Sequence, residues 1–142
     1  MIVDHFGIVV PSLDRGIAQW RDSFGYTPTT APVVNSRQKV RVVFLGKEGS
    51  TPVKLVEPLD STSPVSGLAA RGGGLHHLCF RCDDLEAGVA QLVARGGRVL
   101  AAPQPGEAFE GEPIAFVFAG NGLNVELIAT DRKAARLPGG PT

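Results

Sequence analysis

The chain overlays on itself at a shift of 72 residues with no gap, and that self-match restricts its architecture to two copies of one unit. His5 falls on His77, Leu13 on Leu85, Gly16 on Gly88, Ala18 on Ala90 and Gln19 on Gln91. Farther along, Gly25 meets Gly97, Phe44 meets Phe116, Val53 meets Val125 and Leu55 meets Leu127. The same shift superimposes Lys54 on Glu126. A length of 142 residues suits one compact domain or two half-domains with a common interior. Two histidines and a lysine–glutamate pair occupy repeat-equivalent positions, and the functional reading rests on those four residues.

Each copy reads as a strand, a helix and three further strands. Val3 to Val10 is rich in β-branched residues and stops at Pro11. Ser12 then caps a helix whose apolar stripe is Leu13, Ile17 and Trp20, and Phe24-Gly25 ends it. A short extended piece from Tyr26 to Val34 precedes two strands, Lys39 to Gly46 and Pro52 to Pro58. In the second copy His76 to Cys82 is a strand and Asp83 to Arg95 a helix, with Asp83 and Glu86 as a capping box. Val99 to Ala102, Pro113 to Phe118 and Leu123 to Ala129 complete the strands. Modules are thus expected at residues 1–59 and 75–131, joined by a Ser/Pro/Gly-rich linker at 60–74. A flexible, frayed tail is expected at 132–142, and Pro103 to Glu112 reads as a lid loop.

Composition narrows the function classes. With 43% hydrophobic and 20% charged residues the chain reads as an ordinary globular protein. Fourteen basic and fourteen acidic residues cancel, so no electrostatic case exists for nucleic acid or an anionic membrane. No apolar run approaches the ~20 residues of a membrane span, and no secretory signal opens the chain, so a cytoplasmic location is expected. Cys79 and Cys82 sit in an apolar strand and read as buried thiols rather than a redox pair.

Strand alternation tests whether the repeat-matched residues converge. His5, Gly7 and Val9 share one face of the first strand, and His77, Cys79 and Arg81 one face of its counterpart. The bulkier apolar sets on the opposite faces suit packing beneath the helices, so both histidines should face a common cavity. His76 falls on the other face and reads as a rim histidine. Glu126 lies in LNVELIA, a strand apolar on both faces apart from this carboxylate. A buried glutamate must be paired, protonated or metal-bound. Arg81 is a candidate for holding a substrate carboxylate or phosphate, with a salt bridge to Glu126 as the alternative.

Two tandem βαβββ units, together with DHFGIVVPSLD, VKLVEPL, GGLHHLCFRCDDLEAGVAQL and PQPG in that order, resemble the vicinal oxygen chelate superfamily. That superfamily includes glyoxalase I, extradiol dioxygenases, bleomycin- and fosfomycin-resistance proteins and methylmalonyl-CoA epimerase, and the resemblance is nearest to the epimerase-like branch. It implies an α+β fold of two half-open sheets around a shared cavity with a divalent metal ion inside. It also implies a homodimer acting on a small-molecule substrate. The metal ligands implied are His5, His77 and Glu126.

Lys54 departs from that pattern. Relatives usually carry glutamate or glutamine there, whereas an ammonium has no lone pair to donate. At ~4 Å from a divalent ion it repels that ion by several kcal/mol even at an effective dielectric near 20. Lys54 can turn away and leave a two-histidine, one-carboxylate face of the kind that holds non-haem Fe(II). It can take the metal's place and pair with Glu126, or it can lose its proton and act as a base.

The leading expectation is an isomerase or lyase that works through an enolate. Glu126 would be the base, and a metal or the Lys54 ammonium would bind the developing oxyanion. Alternatives are an Fe(II) dioxygenase on His5, His77 and Glu126, and a metal-free binding protein of the resistance type. The latter lines its cavity with aromatics, and this chain has only 6%.

Overall fold

The computed structural model describes residues 1–139. Strand β1 (Ile2–Val9) leads into helix α1 (Leu13–Phe24), then β2 (Thr27–Pro28), β3 (Val33–Asn35), β4 (Val40–Gly46) and β5 (Val53–Pro58). After a short helix, α2 (Ser66–Ala70), the pattern returns as β6 (Gly74–Arg81), α3 (Leu85–Ala94) and β7 (Arg98–Pro105). A 3-10 turn (Glu107–Phe109) follows, then β8 (Pro113–Phe118) and β9 (Asn124–Ile128). Moving β1 along by 72 residues reproduces the bounds of β6.

Local chemistry explains the element boundaries. The Ser12 hydroxyl accepts the Arg15 N–H, and Gly25 closes α1 at φ 75°, a left-handed conformation that glycine adopts without a Cβ penalty. In α3 the cap is Asp84, whose carboxylate accepts the Ala87 N–H at 2.9 Å, one residue beyond the expected Asp83. Asp84 is the repeat equivalent of Ser12, so the 72-residue shift identifies the cap better than the Asp83/Glu86 pattern did.

All strands form one nine-stranded sheet in the order β2-β4-β5-β1-β6-β9-β8-β7, with β3 also on β4. Each half has a parallel pair, β1 with β5 and β6 with β9, and the halves meet where β1 runs antiparallel to β6. Alternation divides the apolar residues between two faces. Val43, Leu45, Val53 and Leu55 pack with Leu13 of α1, and Ala115, Val117, Val125 and Leu127 pack with Leu85 of α3. Val40, Val42, Phe44 and Val56 face the opposite way, with Phe109 and Ile114, around the shared cavity.

Three segments outside the repeat-matched elements do more than the sequence suggested. Within the 60–74 linker, α2 brings Val65 and Ala69 into the core. The tail expected to fray is docked as far as Leu137. Leu137 N–H donates to Thr29 O, Ala31 N–H to Ala135 O and Ala134 N–H to Ala108 O. These bonds compensate the ordering entropy that lets an unattached terminus fray. Residues 140–142 of the tail lie outside the described residues. The expected lid is also more ordered than a loop: β7 extends to Pro105, and the 3-10 turn seats a fully buried Phe109 in the cavity wall.

Candidate active site

Sheet register brings the four repeat-matched residues together. One row across the sheet runs His77, Gly7, Lys54, and the next runs His5, Cys79, Glu126. The two rows are related by the duplication, so side chains from four strands point into one space. A small residue stands in the middle of each row for a steric reason. A Cβ on Gly7 would lie 2.1 Å from His77 Cε1, so the His77 ring occupies the volume that any side chain there would fill.

At the focus, Lys54 Nζ donates to both oxygens of Glu126, at 2.8 and 3.1 Å. His5 Nε2 lies 3.0 Å from Glu126 Oε1. His77 Nε2 is 3.3 Å from the same oxygen, poorly aligned, and is left without a hydrogen-bond partner despite being buried. All four side chains are buried, Glu126 and His5 completely. Phe44 and Phe109 lie beneath the ammonium, with ring centroids 5.9 and 5.5 Å from Nζ.

Electrostatics follow from this packing. Burial by itself would raise the Glu126 pKa, but the Lys54 ammonium and the adjacent imidazoles outweigh it and hold the carboxyl well below its ordinary range. Burial, then the Lys54 charge, push His77 down to about 3, so its ring is neutral. The same two causes lower His76. Burial and the Glu126 charge push the Cys79 thiol up, which makes it a packing residue rather than a nucleophile.

His76 is a residue that strand alternation missed. It lines the cavity, and its Nδ1 is 2.8 Å from His77 Nδ1. The cause is a bulge: Gly7 pairs with His77 but Ile8 with Leu75, which leaves His76 as the extra residue on β6. A bulge breaks the two-residue period and swings its residue toward its neighbour's face. A matching irregularity on β1 falls at Asp4, the repeat equivalent of His76, and Asp4 Oδ2 is 2.7 Å from His5 Nδ1. The signal was present in the sequence, because DH and HH align at the same shift. Arg81 ends elsewhere than expected, outside the cavity lining and 3.4 Å from Asp4, not at Glu126. The first bulge turns Asp4 toward it.

A divalent ion is the group the donor types suggest. Nitrogen and oxygen atoms of His5, His77 and Glu126 all lie within 4.8 Å of one another, which makes them a candidate metal site. The orphaned His77 Nε2 suits a ligand. Lys54 does not: its ammonium engages both carboxylate oxygens and occupies the fourth position of the cluster. With Lys54 so placed, the residues do not fit a bound divalent cation, since the ion would compete for the same lone pairs against a positive charge.

The family model for the glyoxalase/bleomycin resistance protein/dioxygenase superfamily matches residues 4–116, most of both halves. The chain belongs to that superfamily. The ethylmalonyl-CoA/methylmalonyl-CoA epimerase of Cereibacter sphaeroides is 33% identical over 129 residues, 88% of this chain and 95% of that protein. Methylmalonyl-CoA epimerase from Mycobacterium tuberculosis superimposes with a TM-score of 0.78 at 30% identity, covering 89% of this chain and 86% of that one. Another methylmalonyl-CoA epimerase, solved in complex with methylmalonyl-CoA and NH4+, gives 0.77 at 30% identity over 96% and 98% of the two chains. No helix among the described residues is long and apolar enough to cross a membrane.

Proposed function

We propose that this protein is an epimerase or isomerase that moves a proton at the carbon beside an acyl-thioester carbonyl, with Lys54 as its resident cation. The observation that carries this reading is the Lys54 ammonium seated on both oxygens of a fully buried Glu126, at the focus of the cavity. Its relatives' names supply the substrate class, an acyl-CoA. One of them is described with both a thioester substrate and an ammonium ion.

The chemistry uses groups already in place. A thioester carbonyl oxygen entering the cavity takes N–H donation from Lys54 and loosens the Lys54–Glu126 pair. A carboxylate released from its cation becomes a stronger base. The Cα–H bond then breaks, its proton passes to a Glu126 oxygen, and the electron pair moves through a new C=C bond onto the carbonyl oxygen. Lys54 faces that oxygen as the negative charge develops, in surroundings that exclude water. Return of a proton to the other face of the carbon needs a second donor, and His76 and His77 are the remaining titratable groups of the cavity lining.

The test is deuterium uptake at the α-carbon of short acyl-CoA thioesters in D2O, followed by mass spectrometry. Wild type should exchange. Glu126→Gln should fall by a factor of about 10²–10⁴, the usual contribution of a positioned base, with its circular dichroism unchanged. A thioester bound but never exchanged would reject the proposal in favour of a binding protein. The unpartnered His77 Nε2 supports a second reading, a metal held by His5, His77 and Glu126 with Lys54 swung aside. Stoichiometric iron together with oxygen uptake on a catechol would select it.

A further inference from the structure

The two bulges give each site histidine a partner for its outer nitrogen, and the partner on the first strand is tied to the end of the chain. Asp4 Oδ2 accepts from His5 Nδ1 at 2.7 Å while also lying 3.2 Å from Lys133 Nζ, and its other oxygen is 3.4 Å from Arg81. The Asp4 side chain is 7% exposed and the Lys133 side chain 12%. The Lys133 ammonium stands 5.2 and 5.1 Å from the ring centroids of Phe44 and Phe109, the two rings that also meet Lys54. Those rings flank His5, with Phe44 edge-on at 5.1 Å and Phe109 stacked at 6.2 Å. Beyond Lys133, residues 134–137 bond the 3-10 turn of the second half at Ala108 and then cross to the first half at Thr29 and Ala31.

We propose that Asp4 is a positioning residue that aims His5 Nε2 at Glu126, and that the C-terminal strap, through Lys133, holds Asp4 for that task. A ring with one nitrogen hydrogen-bonded to a fixed carboxylate has its plane and its opposite nitrogen fixed as well. Lys133 supplies the charge that keeps an almost buried carboxylate in place, and Phe44 and Phe109 confine both the ring and the ammonium. The second half lacks such an anchor: the equivalent residue is His76, an imidazole rather than a carboxylate, 2.8 Å from His77 Nδ1 and in no ion pair among the described residues. His5 is therefore the rigid imidazole of the pair and His77 the freer one.

The proposal rests on the reading of His5 as a site residue, so its main readout needs no substrate. In NMR spectra of full-length protein labelled with 15N-histidine, the His5 Nδ1–H proton should give a downfield, slowly exchanging signal. Asp4→Asn should move that signal upfield and broaden it. Lys133→Met should shift it the same way by less, and Lys133→Arg should restore it. In the exchange assay Asp4→Asn should lower kcat by about 10–100-fold with little change in KM, the span typical of lost outer-shell partners. A His5 signal unchanged in Asp4→Asn overturns the positioning role. A signal unchanged in Lys133→Met overturns the strap's part in it, and that variant serves equally should Asp4→Asn fail to fold. If the wild type exchanges no thioester, the functional reading falls while the NMR arm still decides this one.

Discussion

The first half places an aspartate and a lysine where the second places a histidine and a glutamate, on strands that occupy equivalent places in the two halves. Shared backbone makes these positions converge; unlike side chains make the convergence tolerable. Two glutamates at the focus would repel each other in a dry cavity unless a cation lay between them. Here one half contributes the anion and the other the cation, so the cluster neutralises itself. A duplicated fold supplies the geometry of a two-sided site, and divergence between the copies decides which charges meet there.

Removing one side of the central pair tests this contrast most severely. Lys54→Met leaves Glu126 buried without its cation and should cost about 3–5 kcal/mol in urea unfolding. The double variant Lys54→Met/Glu126→Met, with both charges gone, should recover most of that loss. A harmless single substitution would mean that the pair holds nothing together. Making the halves alike is the next test. Lys54→Glu completes a His/Glu/His/Glu donor set, so Zn2+ or Co2+ at a hundredfold excess over Kd should stabilise it by about 2.7 kcal/mol. Wild type should gain far less from the same ion.

Smaller effects separate the two rows. Gly7→Ala drives a methyl into the His77 ring and should cost about 1–3 kcal/mol by overpacking, with the His77 ring signals displaced. Cys79→Ala, at the equivalent position, only removes volume and should leave the His77 signals where they are. The helix caps give the weakest comparison. Ser12→Ala and Asp84→Ala should each lose about 1 kcal/mol in thermal unfolding, whereas Asp83→Ala should lose little because Asp84 makes the bond.

Much of the fold was legible because a repeat aligns weak local signals. The β1 histidine alone is unremarkable, but paired with His77 across 72 residues it marks a common interior. The Lys54–Glu126 contact was one of three open outcomes, since spacing along a chain does not say how two side chains divide a cavity. His76 and Asp4 were misread or missed because the two-residue strand period holds only until a bulge inserts a residue. Arg81 was misplaced for a related reason: parity set it on the His77 face, whereas it lies outside the cavity lining beside the bulged Asp4. The tail looked free because two of its three backbone hydrogen bonds run to Thr29 and Ala31, about 100 positions earlier, beyond any local pattern.

The order of residues alone determined the duplication and the strand and helix sequence, and it pointed His5, His77 and Glu126 toward one interior, because periodicity and self-similarity are properties of order. Tertiary structure decided that the ammonium sits on the carboxylate, that His77 Nε2 is left unpartnered, and that the chain's end grips Asp4. These depend on bulges, side-chain reach and competition for buried partners, which exist only once distant strands lie within a few ångströms of each other.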